Sequence, residues 1–172
     1  MQQPSIVTYQ AHREPYRVLG IENKTQNGTV GNWGACWGQF FSSGGHEKIK
    51  PFLIEKPLLG VFCQSEPGFY NYLIGGIVSG DTGIPEGMFL EDFPATDYIV
   101  VTNEWMPSID EAESQIGRIV GYAHSKELQL PDGYEIFNKP PCKVIFIESY
   151  NYDFANNRFR FEVWLPIRKI SE

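Results

Sequence analysis

The sequence predicts an α+β fold in which a β-α-β-β unit is used twice to build one antiparallel sheet with two helices on one face. Three observations carry that expectation. Apolar runs are short and separated by turn residues, in a chain with 17 Gly, 12 Pro and 15% aromatic residues, which favours strands joined by tight connections. Only two stretches show apolar residues at helical spacing. Strands and helices also recur in the same order in the two halves, about 5–80 and 85–170, of a single domain spanning residues 1–172.

Taken in order, the expected strands are 16–23, 58–65, 70–79, 88–93, 97–103, 143–150 and 158–167, each bounded by Gly, Pro, Asn or Asp. Hairpin-length connections make the sheet antiparallel. The first helix follows from Asn32, Trp33, Cys36, Trp37, Phe40 and Phe41, with Gly44 and Gly45 as its stop and with Gly31, Gly34 and Gly38 weakening it. The second spans about 108–126. Ser108 and Glu111 form a capping box, and Ile109, Ala112, Ile116, Ile119, Val120 and Ala123 share a face. With both helices on one face, the other is expected to stay partly open, with a ligand cleft where the halves meet.

Composition narrows the function. Fourteen basic against 21 acidic residues give a net charge of −7, and no Lys/Arg cluster offsets it, so direct nucleic-acid binding is not expected. No apolar run reaches the length of a membrane span, and the first twenty residues lack a signal-peptide pattern. A cytoplasmic protein without membrane contact is expected. Cys36, Cys63 and Cys142 are widely spaced without a CxxC pair, and His12, His46 and His124 are scattered. Neither a disulfide framework, a metal site nor a cofactor is expected, and the histidines read as surface residues.

The last strands supply the candidate site. In 158–167, Phe159, Phe161, Val163, Leu165 and Ile167 alternate with Arg158, Arg160, Glu162, Trp164 and Pro166. In the preceding strand Phe146, Glu148, Tyr150 and Tyr152 alternate with Ile145, Ile147 and Ser149. If the two polar faces coincide, Glu148 and Glu162 stand among Phe146, Tyr150, Tyr152 and Trp164, with Tyr70, Tyr72 and Phe62 facing them from the first half. Carboxylates among aromatic rings suit a lipophilic cation: the rings attract it through their quadrupoles and the carboxylate neutralises it after desolvation. The same pattern is also what a solvated strand face and ordinary aromatic packing produce. Trp105, just before the second helix, either closes the cleft or staples the helix entry.

Phe146-Ile-Glu148-Ser-Tyr150 and Phe161-Glu162-Val-Trp164-Leu-Pro166-Ile167, together with Trp37-Gly-Gln-Phe40, Phe69-Tyr-Asn-Tyr-Leu-Ile-Gly-Gly76 and Gly133-Tyr-Glu135, resemble the GyrI-like effector-binding domains. These are the ligand domains of AraC-type and MerR-type multidrug-responsive regulators, and the likeness is nearest to stand-alone, integron-cassette-associated members. The resemblance implies a duplicated β-α-β-β fold and a pocket for cationic aromatic molecules, with Glu148, Tyr150 and Glu162 at the family's pocket positions and Trp164 in an aromatic place. It also implies that any transcriptional role needs a separate DNA-binding protein, since a chain of this length has no room for a helix-turn-helix.

The resulting expectation is a domain that binds amphipathic cationic small molecules as a sensor or by sequestration, as a monomer or weak homodimer, without catalytic residues. Two alternatives stand beside it. Some relatives hydrolyse reactive electrophiles, for which a buried Glu beside a Tyr positions water, and gyrase-inhibiting relatives suggest a protein-interaction module.

Overall fold

The computed structural model describes residues 2–24, 32–66 and 69–171; Gly31 lies outside them. The strands are β1 (Ile6–Arg13), β2 (Tyr16–Lys24), β3 (Leu58–Glu66), β4 (Phe69–Val78), β5 (Phe89–Phe93), β6 (Thr96–Asn103), β7 (Tyr134–Ile136), β8 (Val144–Asp153) and β9 (Arg158–Lys169). They form one antiparallel sheet in the order β1-β6-β9-β8-β3-β4-β2-β5, with β7 added on β9. The duplication is visible in that order. In each half the strand after the helices pairs with the other half at the β3–β8 seam, and the last strand lies between it and the first.

The helices come as two pairs, α1 (Trp33–Ser42) with α2 (Gly45–Ile49), and α3 (Ile109–Ser114) with α4 (Ile116–Ala123). Asn32 caps α1 by accepting from the Ala35 amide at 3.1 Å. Gly44, at φ 76°, does end α1, but the chain resumes at once as α2 because this left-handed residue redirects it. A Cβ on Gly45 would fall 2.7 Å from Phe40, so only glycine lets the two helices pack this closely. The expected cap of the second helix is present, with Ser108 accepting from the Glu111 amide at 3.2 Å. That helix is broken at Gln115, whose amide bonds back only three residues to Ala112.

Both pairs cover the same face. Phe40 and Ile49 pack on Leu19, Tyr72 and Ile74, while Ile119 and Ala123 pack on Ile99, Phe161, Val163 and Leu165.

The opposite face departs from expectation. β1 was not among the expected strands, yet it pairs along its whole length with β6. β1 and β2 run as one ribbon bent at Glu14-Pro15, and its second arm pairs with β5. This ribbon ties the two edges of the sheet together, and Tyr16, Val18, Leu59, Val61, Leu73, Tyr98, Val100, Ile147 and Trp164 pack on the face expected to stay open, filling part of it. The Tyr16 and Tyr98 hydroxyls meet at 2.6 Å inside it. Open space remains on the helix side of the seam and, on the opposite face, in a cavity lined from both halves, by Tyr16 and Ile77 in one and Tyr98 and Trp164 in the other.

Candidate functional site

The seam between the halves is floored by β3 and β8. Their register sets Leu58 opposite Tyr150, Gly60 opposite Glu148 and Phe62 opposite Phe146, three rows on the helix face about 6.8 Å apart along the strands. Helix α1 forms one wall. Trp33 and Trp37, one turn apart, reach the floor at different rows: Trp37 meets the Tyr150 ring at 4.7 Å, and Trp33 meets Phe62 at 4.7 Å and Tyr72 at 5.0 Å. On the other side Glu113 accepts from the Tyr152 hydroxyl at 3.1 Å, and His124 stands edge-on to Phe146 at 4.9 Å.

The centre of the floor is a hydrogen-bonded relay. The Trp37 indole N–H donates to the Tyr72 hydroxyl at 2.8 Å, and that hydroxyl donates to Glu148 Oε1 at 2.7 Å. Gly60 makes this possible: a Cβ there would lie 2.4 Å from the Tyr72 hydroxyl oxygen and 2.8 Å from its ring, so the phenol crosses the strand over the bare glycine.

Burial pushes the Glu148 carboxyl up to about 7, with the Tyr72 hydrogen bond pulling it back part of the way. Among the described residues Glu148 has no ion-pair partner. Tyr72 and Tyr150 are raised as well, by burial first and then by the Glu148 charge.

Two cavities open along this floor. The near one, of about 470 Å³, is lined by Trp37, Phe41, Tyr150, Tyr152 and Phe154, with His46, Lys56 and Glu113 around it. The far one, of about 420 Å³, is lined by Trp33, Phe62, Tyr70 and Phe146 with Gln64 and Lys139. Glu148 falls between them in the register.

The expected site residues are thus divided. Glu148, Tyr150, Phe146, Phe62, Tyr70 and Tyr72 share the helix face, but Glu162 and Trp164 do not join them. β8 and β9 pair Glu148 with Val163 and Ser149 with Glu162. Side chains on one face of a sheet belong to cross-strand partners, so the two glutamates point to opposite faces.

Glu162 is buried and already satisfied. It accepts from Arg160 at 2.8 Å, the Trp164 indole at 2.9 Å and the Tyr9 hydroxyl at 3.2 Å. The Trp164 ring carries the Arg13 guanidinium at 4.3 Å, and Arg13 is held in turn by Glu55 at 2.8 Å. Both belong to a third cavity of about 610 Å³ on the face away from the helices. Trp105 carries the guanidinium groups of Arg158 and Arg160, 4.5 and 4.4 Å from its ring centre, and lines none of these three cavities.

Sequence reasoning left out Trp33, Trp37, Phe41 and Glu113. The helical spacing of Trp33, Trp37 and Phe41 was the available signal, since it puts an aromatic stripe on α1. His46, expected at the surface, is half-buried at the near cavity.

Comparison with known proteins now bears on this geometry. The family model Cass2, described as integron-associated effector binding protein, matches residues 12–167. No curated protein matches the sequence. Among solved structures, SAV2435 bound to tetraphenylphosphonium superposes with a TM-score of 0.68 at 14% identity, covering 94% of each chain. The Vibrio cholerae integron cassette protein VCH_CASS2 gives 0.53 at 10% identity over 94% of this chain and 95% of that one. The C-terminal domain of EcmrR gives 0.54 at 12% identity over 96% and 99%. At these identities the superpositions establish a shared fold.

Proposed function

The chain belongs to the integron-associated effector-binding family, and from that premise we propose that it binds amphipathic aromatic cations on the helix face of the seam, with Glu148 as the countercharge. One observation carries the reading. Glu148 is a largely buried carboxylate walled by aromatic rings and, among the described residues, without an ion-pair partner, whereas Glu162 has Arg160. An unpaired buried carboxylate is costly to the fold, and a cation entering from solvent removes that cost as it binds. Tyr150 and Trp37 then offer π faces worth about 0.5–2 kcal/mol.

Binding of tetraphenylphosphonium by a structural neighbour supports this chemistry. As a binder, the protein acts as a sensor or by sequestration, with Glu162, Trp164 and Trp105 in structural roles. The test is quenching of tryptophan fluorescence by tetraphenylphosphonium and by neutral triphenylphosphine oxide at pH 8. Saturable binding at least tenfold tighter for the cation is expected; equal affinities would remove Glu148 from the account.

A second reading has its own observation. A carboxyl near neutrality beside a tyrosine hydroxyl is also a general-base arrangement. Multiple turnovers of an electrophilic substrate, abolished in Glu148→Gln, would establish it, and stoichiometric capture alone would reject it.

A further inference from the structure

We propose that the ligand is an elongated monocation bearing an aryl group on each side of its charge, one seated in the near cavity and the other in the far cavity. This rests on the function proposed above and extends it. The two cavities lie on the same face of the same strand pair, with the Tyr150 row at one end, the Phe146 row at the other and Glu148 in the row between. Four residues of strand separate the end rows, about 14 Å.

Both walls follow that span. On α1, Trp37 serves the near end and Trp33 the far end, with the Tyr72 ring between them. Ile116 at the start of α4 lines the near cavity and His124, the residue capping its end, stands edge-on to Phe146 at the far end, eight residues or about 12 Å apart along the helix axis. Each end therefore has its own aromatic enclosure: Tyr150, Tyr152 and Trp37 on one side, Trp33, Phe62 and Phe146 on the other.

Charge placement selects the ligand further. A single carboxylate marks the middle row, and at the near end Glu113 and Lys56 bring one charge of each sign. At the far end the charged side chain is Lys139, which opposes a second positive charge there, so a dication charged at both ends fits less well than a monocation with neutral aryl ends. A compact cation such as tetraphenylphosphonium uses Glu148 and one cavity, and leaves the other unused.

The experiment compares three probes by fluorescence titration at pH 8: tetraphenylphosphonium, a dimethylammonium carrying two 3-phenylpropyl arms, and its trimethylammonium analogue with one arm. The expected result is that the two-armed probe binds at least tenfold more tightly than the one-armed probe, and that Trp33→Ala brings this ratio to within twofold of unity. Trp33 is exposed, so its removal leaves the core intact, and a circular dichroism melt verifies folding. Tetraphenylphosphonium binding with a two-armed to one-armed ratio near unity overturns the extended groove and leaves the cation site standing. A tenfold ratio that survives Trp33→Ala overturns the placement of the second arm. Failure of all three probes to bind overturns both proposals.

Discussion

Replacing Glu148 by Gln tests the electrostatic core of the account, because the substitution keeps the shape and an acceptor for the Tyr72 hydroxyl while removing the charge. With the carboxyl near 7, about a tenth of the wild-type molecules are ionised at pH 6 and about nine tenths at pH 8. If a cation needs the ionised form, its apparent affinity rises almost tenfold between these values, and Glu148→Gln is flat across the same range. At pH 8 the variant binds about 10–100-fold more weakly, since a charge pair at 4 Å and an effective dielectric of about 20 is worth a few kcal/mol before desolvation is subtracted. Stability moves the other way. A carboxyl whose pKa is higher folded than unfolded contributes stability that is complete below its unfolded value and is lost as pH rises through 7. Glu148→Gln therefore stabilises the protein by up to about 3 kcal/mol above pH 7, with no gain near pH 4. The assays are tetraphenylphosphonium titrations and urea denaturation at pH 4, 6 and 8. A pH dependence retained in the variant would refute the reasoning.

Three further outcomes follow from the same geometry. Tyr72→Phe removes the hydrogen bond that holds the Glu148 carboxyl down, so the midpoint of the pH dependence of binding rises above 7, with a stability loss of about 1 kcal/mol in denaturant titrations. Gly60→Ala sets a methyl group against the Tyr72 phenol; a cost of about 1–3 kcal/mol and weakened cation binding are expected, and unchanged affinity would mean that Tyr72 does not position Glu148. Glu162→Gln leaves Arg160 without its partner and costs about 1.5–3 kcal/mol of stability, while tetraphenylphosphonium affinity changes less than twofold.

Much of the fold was legible because its signals are local. The alternation in β9 assigns Phe159, Phe161 and Val163 to the covered face, where they pack, and the Ser108 cap starts α3 where Ser-Ile-Asp-Glu predicts. β1 was missed because Ile6–Arg13 mixes polar and apolar residues without a clear stripe; its structure comes from pairing with β6, some ninety residues away in sequence. The site was legible in composition but not in register. Alternation places Glu148 and Glu162 each on one face of its own strand, and only the pairing of Ser149 with Glu162 shows that these faces differ. Glu113 gave no signal, since its approach to Tyr152 depends on how α3 lies over β8.

The central claim is a location, so the most direct measurement is a crystal structure of the protein with tetraphenylphosphonium at pH 8. The account predicts the phosphorus atom between α1 and α4, with phenyl rings against Trp37 and Tyr150 and the cation within about 6 Å of an aromatic ring centre, facing Glu148. A cation found instead on the opposite face, displacing Arg13 from Trp164 and paired with Glu162, would contradict it.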